Sequence, residues 1–238
     1  MRMMQRVLLC LAVVVVTVGQ AEAAIVYSQP LATPSTSQFG ANSDGPLSNS
    51  ASTQQVADSF LLASAANIAS VDWFGIYHDG DVPAAKNFLV RFFADAGSLP
   101  DALLFEETVS VAGVDTGLNN SSGSSIMEYS GSLNSPFAAA GGTSYFLSIL
   151  ENDPTTTSIW AWQLSDEIAG KGLVVRSLDA DAWFVPITQD GPITLDMAYT
   201  LNSADVPVPA SLVLWGMGGG LAFLGRKLRR GRKPELAA

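Results

Sequence analysis

From residue 56 to 201 the chain alternates short runs of aromatic and β-branched residues with clusters of turn formers, at spacings of roughly ten to fifteen residues. The runs cover 56–62, 68–77, 88–93, 103–111, 125–133, 144–150, 159–164, 172–178, 182–187 and 193–201. Within several of them apolar positions recur every second residue, the period of a strand with a buried face. Val71, Trp73, Gly75 and Tyr77 share one side of such a strand, and Asp72, Phe74, Ile76 and His78 the other. Phe88, Val90 and Phe92 oppose Leu89, Arg91 and Phe93, and Tyr145, Leu147 and Ile149 oppose Phe146, Ser148 and Leu150. Both faces are partly apolar, as in the central strands of a two-layer stack. Turns are expected at 78–81, 95–97, 119–123, 140–142 and 190–192. No segment holds helical spacing for three turns. The pattern therefore predicts an all-β, antiparallel β-sandwich over 56–203, jelly-roll-like, preceded by a polar and flexible lead-in over 24–55.

The two ends follow different rules. Residues 1–23 have the parts of a secretory signal: Arg2 and Arg6, an apolar stretch from Val7 to Val18, and Ala21-Glu22-Ala23 as an A-x-A cleavage pattern. The mature chain is expected to start at Ala24. The last part, 204–238, begins with Val206-Pro207-Val208-Pro209-Ala210-Ser211, continues as an apolar run over 212–225, and ends in a basic cluster over 226–233. Paired prolines stop a helix from running back into the domain. The apolar run is short for a membrane span, and the basic cluster favours the cytoplasmic side.

This order of parts resembles the PEP-CTERM sorting tail, and more closely its variant written VPLPA; Val208 stands where the commoner form has glutamate. The resemblance implies an inner-membrane intermediate with a short C-terminal hydrophobic helix. It further implies an exosortase-type membrane transpeptidase that cuts near the proline motif, and delivery to the cell envelope or extracellular matrix. A permanent tail anchor is the competing expectation. The domain also looks like a secreted bacterial module found ahead of such tails, on the strength of Asp72-Trp73-Phe74-Gly75-Ile76-Tyr77, Phe92-Phe93-Ala94-Asp95, Thr143-Ser144-Tyr145-Phe146-Leu147-Ser148 and Trp160-Ala161-Trp162.

Charge changes this picture in one respect. The 238-residue chain has a formal net charge of −10, but its basic residues sit mostly at the ends. Between Ala24 and Val206 only Lys86, Arg91, Lys171 and Arg176 face twenty acidic residues. Such a surface repels phosphate backbones, which argues against nucleic acid as a partner. Cys10, the only cysteine, lies in the signal segment, so neither disulfides nor thiol chemistry is expected of the mature domain.

Candidate chemistry is sparse, and no enzymatic activity is expected. His78 is the sole histidine and reads as a strand-end residue satisfied by its neighbours. The carboxylate pairs Glu106-Glu107, Asp166-Glu167 and Asp179-Asp181 are the only footing for a glycoside hydrolase, and adjacent strand residues point to opposite faces. Asp79, Asp81, Asp179 and Asp181, with the loop Glu151-Asn152-Asp153, offer hard oxygen ligands for a structural Ca²⁺; no other cofactor is expected. Trp160 and Trp162 lie two apart on one strand face, either as core or as a stacking platform for sugar. The leading expectation is an exported structural or adhesive protein. The alternative is a module that binds exopolysaccharide, as in a biofilm matrix.

Overall fold

The computed structural model describes residues 23–32, 40–50, 52–78, 85–166, 172–177, 179, 181–188, 191–192 and 195–204. The expected signal segment up to Glu22, the proline motif, the apolar run and the basic cluster lie outside the described residues. No helix among the described residues is long and apolar enough to cross a membrane. Residues Ala23–Ala204 form one compact unit.

The unit is an antiparallel β-sandwich. Its strands are β1 (Ile25–Gln29), β2 (Ala41–Asn42), β3 (Gln55–Leu61), β4 (Ala66–Tyr77), β5 (Lys86–Asp95), β6 (Pro100–Val111), β7 (Val114–Asn119), β8 (Ser125–Ala139) and β9 (Ser144–Glu151). Shorter strands follow: β10 (Trp160–Trp162), β11 (Leu164–Ser165), β12 (Val174–Arg176), β13 (Ile187–Thr188), β14 (Gly191–Pro192), β15 (Asp196–Met197) and β16 (Tyr199–Ser203). In the first layer the long β4 pairs with β8 along one side, and with β16 and then β10 along the other; β7, β1 and β2 flank these. The second layer runs β12-β3-β9-β5-β6. As in a jelly roll, the chain crosses repeatedly between layers: β3 to β4, β4 to β5, β6 to β7 and β8 to β9.

Alternation explains the core. Val71, Trp73 and Tyr77 of β4 meet Phe88, Val90 and Phe92 of β5 across the layers, all nearly inaccessible to water. Phe88 sits with its ring centroid 5.2 Å from Trp73, 4.9 Å from Tyr129 and 5.1 Å from Trp160, and Phe92 stacks on Phe137 at 4.4 Å. Each aromatic buries 150–250 Å², so these few rings supply much of the hydrophobic stabilisation. The opposite faces carry smaller clusters. Ile76, Ile126 and Ala161 pack under Leu31, while Phe93, Phe146, Val174 and Ala57 pack under Trp183 and Val185.

Two expectations need correction, and one strand was not expected. The lead-in is part of the domain: β1 pairs with the last strand, β16, and Ser203 donates its N–H to Ala24 O at 2.9 Å. The polar stretch that follows hid this: the strand offers only Ile25, Val26 and Tyr27 before it, and Tyr27 stacks on Tyr199 in the core. Residues 41–45 then tie the layers together, through β2 on β10 and through Gly45 N donating to Glu151 O. The run at 114–119, without apolar alternation, forms edge strand β7. The strand begun at Ser125 continues past Leu133 through Pro136 to Ala139, beyond its expected end.

Candidate functional site

Two polar clusters are built into the sandwich, on opposite sides of the second layer. The first lies on its outer face. Arg91 on β5 points away from the core, since Val90 and Phe92 point into it. Its guanidinium takes Asp179 with both terminal nitrogens, at 2.6 and 3.0 Å, and Glu106 of neighbouring β6 with Nε at 2.7 Å. Arg176 on β12 donates to Asp179 Oδ1 at 2.7 Å, to Asp179 O at 2.7 Å and to Gln55 Oε1 at 2.6 Å. Its guanidinium lies 4.5 Å from the Trp183 ring centroid. Both arginines are buried, so the pairing is partly desolvated and depends on these directional bonds. The Arg91 hydrogen bonds hold the Asp179 carboxyl below its ordinary range.

The second cluster closes one end of the core. Tyr145, Leu147 and Ile149 of β9 point inward, and one further step of the same alternation brings Glu151 to the inner face, where it is fully buried. Tyr77 of β4 and Tyr129 of β8 point inward by the same rule. Asp44 follows β2; its Oδ1 accepts from Trp160 N at 3.1 Å. Glu151 Oε1 accepts from Asp153 N at 3.1 Å. The second oxygens of these acids, Asp44 Oδ2 and Glu151 Oε2, have no hydrogen-bond partner, and neither do the Tyr77 and Tyr129 hydroxyls. Burial, with Glu151 nearby, pushes the Asp44 carboxyl up to about 7. Burial raises Glu151 and both tyrosines as well. Lys86 is engaged elsewhere: it donates to Thr155 Oγ1 at 2.8 Å and lies 3.8 Å from Asp153. A small cavity is lined by Asp44, Pro46, Thr53, Gln55, Leu150 and Asp179, residues of both clusters among them.

The expected sites fare unevenly against this geometry. Trp160 and Trp162 are completely buried, packed among Phe88, Tyr129 and Tyr199, so they are core rather than a sugar platform. Strand alternation put both on one face as expected, and the first layer turns that face inward. Asp179 is no free calcium ligand, because both its oxygens bind arginine. Asp181 is exposed, and Asp79 and Asp81 lie outside the described residues. Glu106 and Glu107 diverge as alternation requires: one binds Arg91, the other accepts from Asn134 N at 2.8 Å. His78 is satisfied across the sheet rather than by its sequence neighbours: its Nε2 lies 3.1 Å from Asn42 Oδ1, 36 residues away. Among the described residues no three His, Cys, Asp or Glu side chains gather in metal-binding geometry. Of the signal-cleavage residues, Ala21 lies outside the described residues, and Ala23 and Ala24 mark where the domain begins; Val206 to Ser211 lie outside. The buried pair Asp44 and Glu151 went unrecognised as a unit. Its signal was the continued alternation beyond Ile149, which places a charge where the pattern calls for an apolar residue.

The domain boundaries coincide with a family match. A family model described as a domain of unknown function (DUF7901) matches residues 25–202. The chain belongs to the DUF7901 family. The match takes in the DUF7901 domain from β1 into β16 and stops short of both end segments. No curated protein and no solved structure matches the chain.

Proposed function

We propose that this DUF7901 protein is an exported envelope or matrix protein, delivered by its two end segments, whose β-sandwich is a structural or adhesive module without enzymatic activity. The observation that supports this best is one of boundaries. The paired strands run from Ile25 to Ser203 and fill the interval between the predicted cleavage site after Ala23 and the proline motif at Val206. A sandwich whose first and last strands lie side by side needs neither end for its pairing. Both ends are then free to serve as address labels, one read on export and the other by an exosortase-type transpeptidase.

The carbohydrate-binding reading loses its motivating residues, since Trp160 and Trp162 are core. The glycoside hydrolase reading loses Glu106, which is tied to Arg91, and Glu107, which is turned away from it. Intact mass and fractionation in the native host test the proposal. The expected species begins at Ala24, ends between Pro207 and Ser211, and leaves the membrane fraction. A full-length mass retaining residues 1–23 would refute export by a cleaved signal. A mature N-terminus with the whole basic tail in membranes would refute processing and identify a permanent anchor.

A further inference from the structure

The closed end of the sandwich holds two carboxylates that an apolar core should not tolerate. Moving an ionised carboxylate out of water costs several kcal/mol unless a cation, a proton or several donors meet it. Asp44 and Glu151 are 2 % and 0 % exposed, and each leaves one oxygen without a partner. Their surroundings are rich in further oxygens. The hydroxyls of Ser50 and Ser52 stand beside Asp44, and those of Ser48 and Thr156 beside Glu151. The Tyr77 hydroxyl, 1 % exposed and within electrostatic range of both acids, has no hydrogen-bond partner. Lys86, the one cation within range of Glu151 among the described residues, is occupied by Asp153 and Thr155.

From this arrangement we infer that Asp44 and Glu151 bind a divalent cation, calcium by its ligand chemistry, which pins the segment 43–50 to the end of β9. The donors are all hard oxygens: two carboxylates and a set of serine and threonine hydroxyls on loops. Ca²⁺ accepts such mixed, irregular shells, whereas Mg²⁺ demands near-ideal octahedral geometry and keeps its waters. Two carboxylates neutralise the ion's charge. The site differs from the one expected around Asp179 and Asp181, where the arginines already supply the positive charge. The inference does not depend on the export proposal, and its failure would leave that reading untouched.

Thermal melts of the full chain at pH 7.5 decide it, in EGTA, in 1 mM CaCl₂ and in 1 mM MgCl₂. Calcium is expected to raise Tm by several degrees over EGTA, and magnesium by less than half as much. The calcium increment should vanish in Asp44→Asn and in Glu151→Gln and persist in Asp179→Asn. Because the core variants can fold poorly, Ser50→Ala serves as a second probe; it is expected to weaken calcium affinity several-fold in titration calorimetry while still melting cooperatively in EGTA. Equal melting of the native chain in EGTA and calcium overturns the inference. So does a calcium increment that survives in Asp44→Asn or Glu151→Gln, which would place the ion elsewhere on the acidic surface, or a magnesium effect as large as that of calcium.

Discussion

The two polar clusters of this domain solve opposite electrostatic problems. On the outer face, Arg91 and Arg176 are buried but meet Asp179, Glu106 and Gln55 in short hydrogen bonds, and the Trp183 ring covers one guanidinium. At the closed end, Asp44 and Glu151 are buried among backbone N–H groups and hydroxyls, with no protein cation on their second oxygens. Matched charges on a sheet face fasten a strap, here the segment after β12, onto the layer beneath. Unmatched charges in a core make stability depend on what the solvent supplies, a proton or a metal ion. The clusters therefore answer to pH with opposite sign. The raised Asp44 pKa means that the folded protein holds a proton which the unfolded chain releases near pH 4, so stability falls as pH rises through about 7. The lowered Asp179 pKa contributes stability at neutral pH, lost only as pH falls below the ordinary carboxylate range of about 3.9.

The contrast can be broken from the closed end first. In EGTA, denaturant unfolding at pH 5 and pH 8 should differ by about 3 kcal/mol in favour of pH 5, the value of the two pH units between pH 5 and the folded Asp44 pKa of about 7. Asp44→Asn should flatten that dependence, and a native chain equally stable at both pH values would contradict the account of the buried acids. A methyl group added at Gly75 would overlap the Trp160 indole. Gly75→Ala is therefore expected to cost about 3 kcal/mol by overpacking, seen as a lower midpoint in urea. On the outer face, Arg91→Met should cost about 2 kcal/mol, since it strips charge-assisted bonds from Asp179 and Glu106, whose carboxylates keep access to water. Most of that loss should survive in 0.5 M salt because the guanidinium is buried. Smallest of all, Glu106→Gln should cost less than about 1 kcal/mol, as for other half-exposed ion pairs. A larger effect there would mean that the face is less solvated than its geometry indicates.

Much of the layer order was legible in advance. Eight of the longer or better patterned runs became strands at nearly their expected places, because a period of two with aromatic and β-branched residues is what a half-buried pleated surface requires. Edges escaped the same reasoning. β1, β2 and β7 are short or half-solvated, and their place comes from hydrogen bonds to β16, β10 and β8, with only a few apolar side chains such as Val26 and Tyr27 reaching the core. The candidate site was less legible than the fold. Arg91 was assigned to the face opposite Phe92, but Asp179 lies 88 residues further along the chain, and no local rule brings them together.

By itself the sequence determined the alternation and so the identity of the inner faces, the divergence of Glu106 from Glu107, the concentration of acid in the domain, and the composition of its two ends. These depend on the geometry of single strands and on the kinds of residue present, which are local. Only the tertiary structure decided which faces met one another. It turned Trp160 and Trp162 inward, gave Asp179 to two arginines instead of a metal, and set Asp44 beside Glu151 across 107 residues of chain. Such pairings follow from the order in which strands cross between layers. That order is chosen by the packing of the whole core, and no stretch of sequence carries it alone.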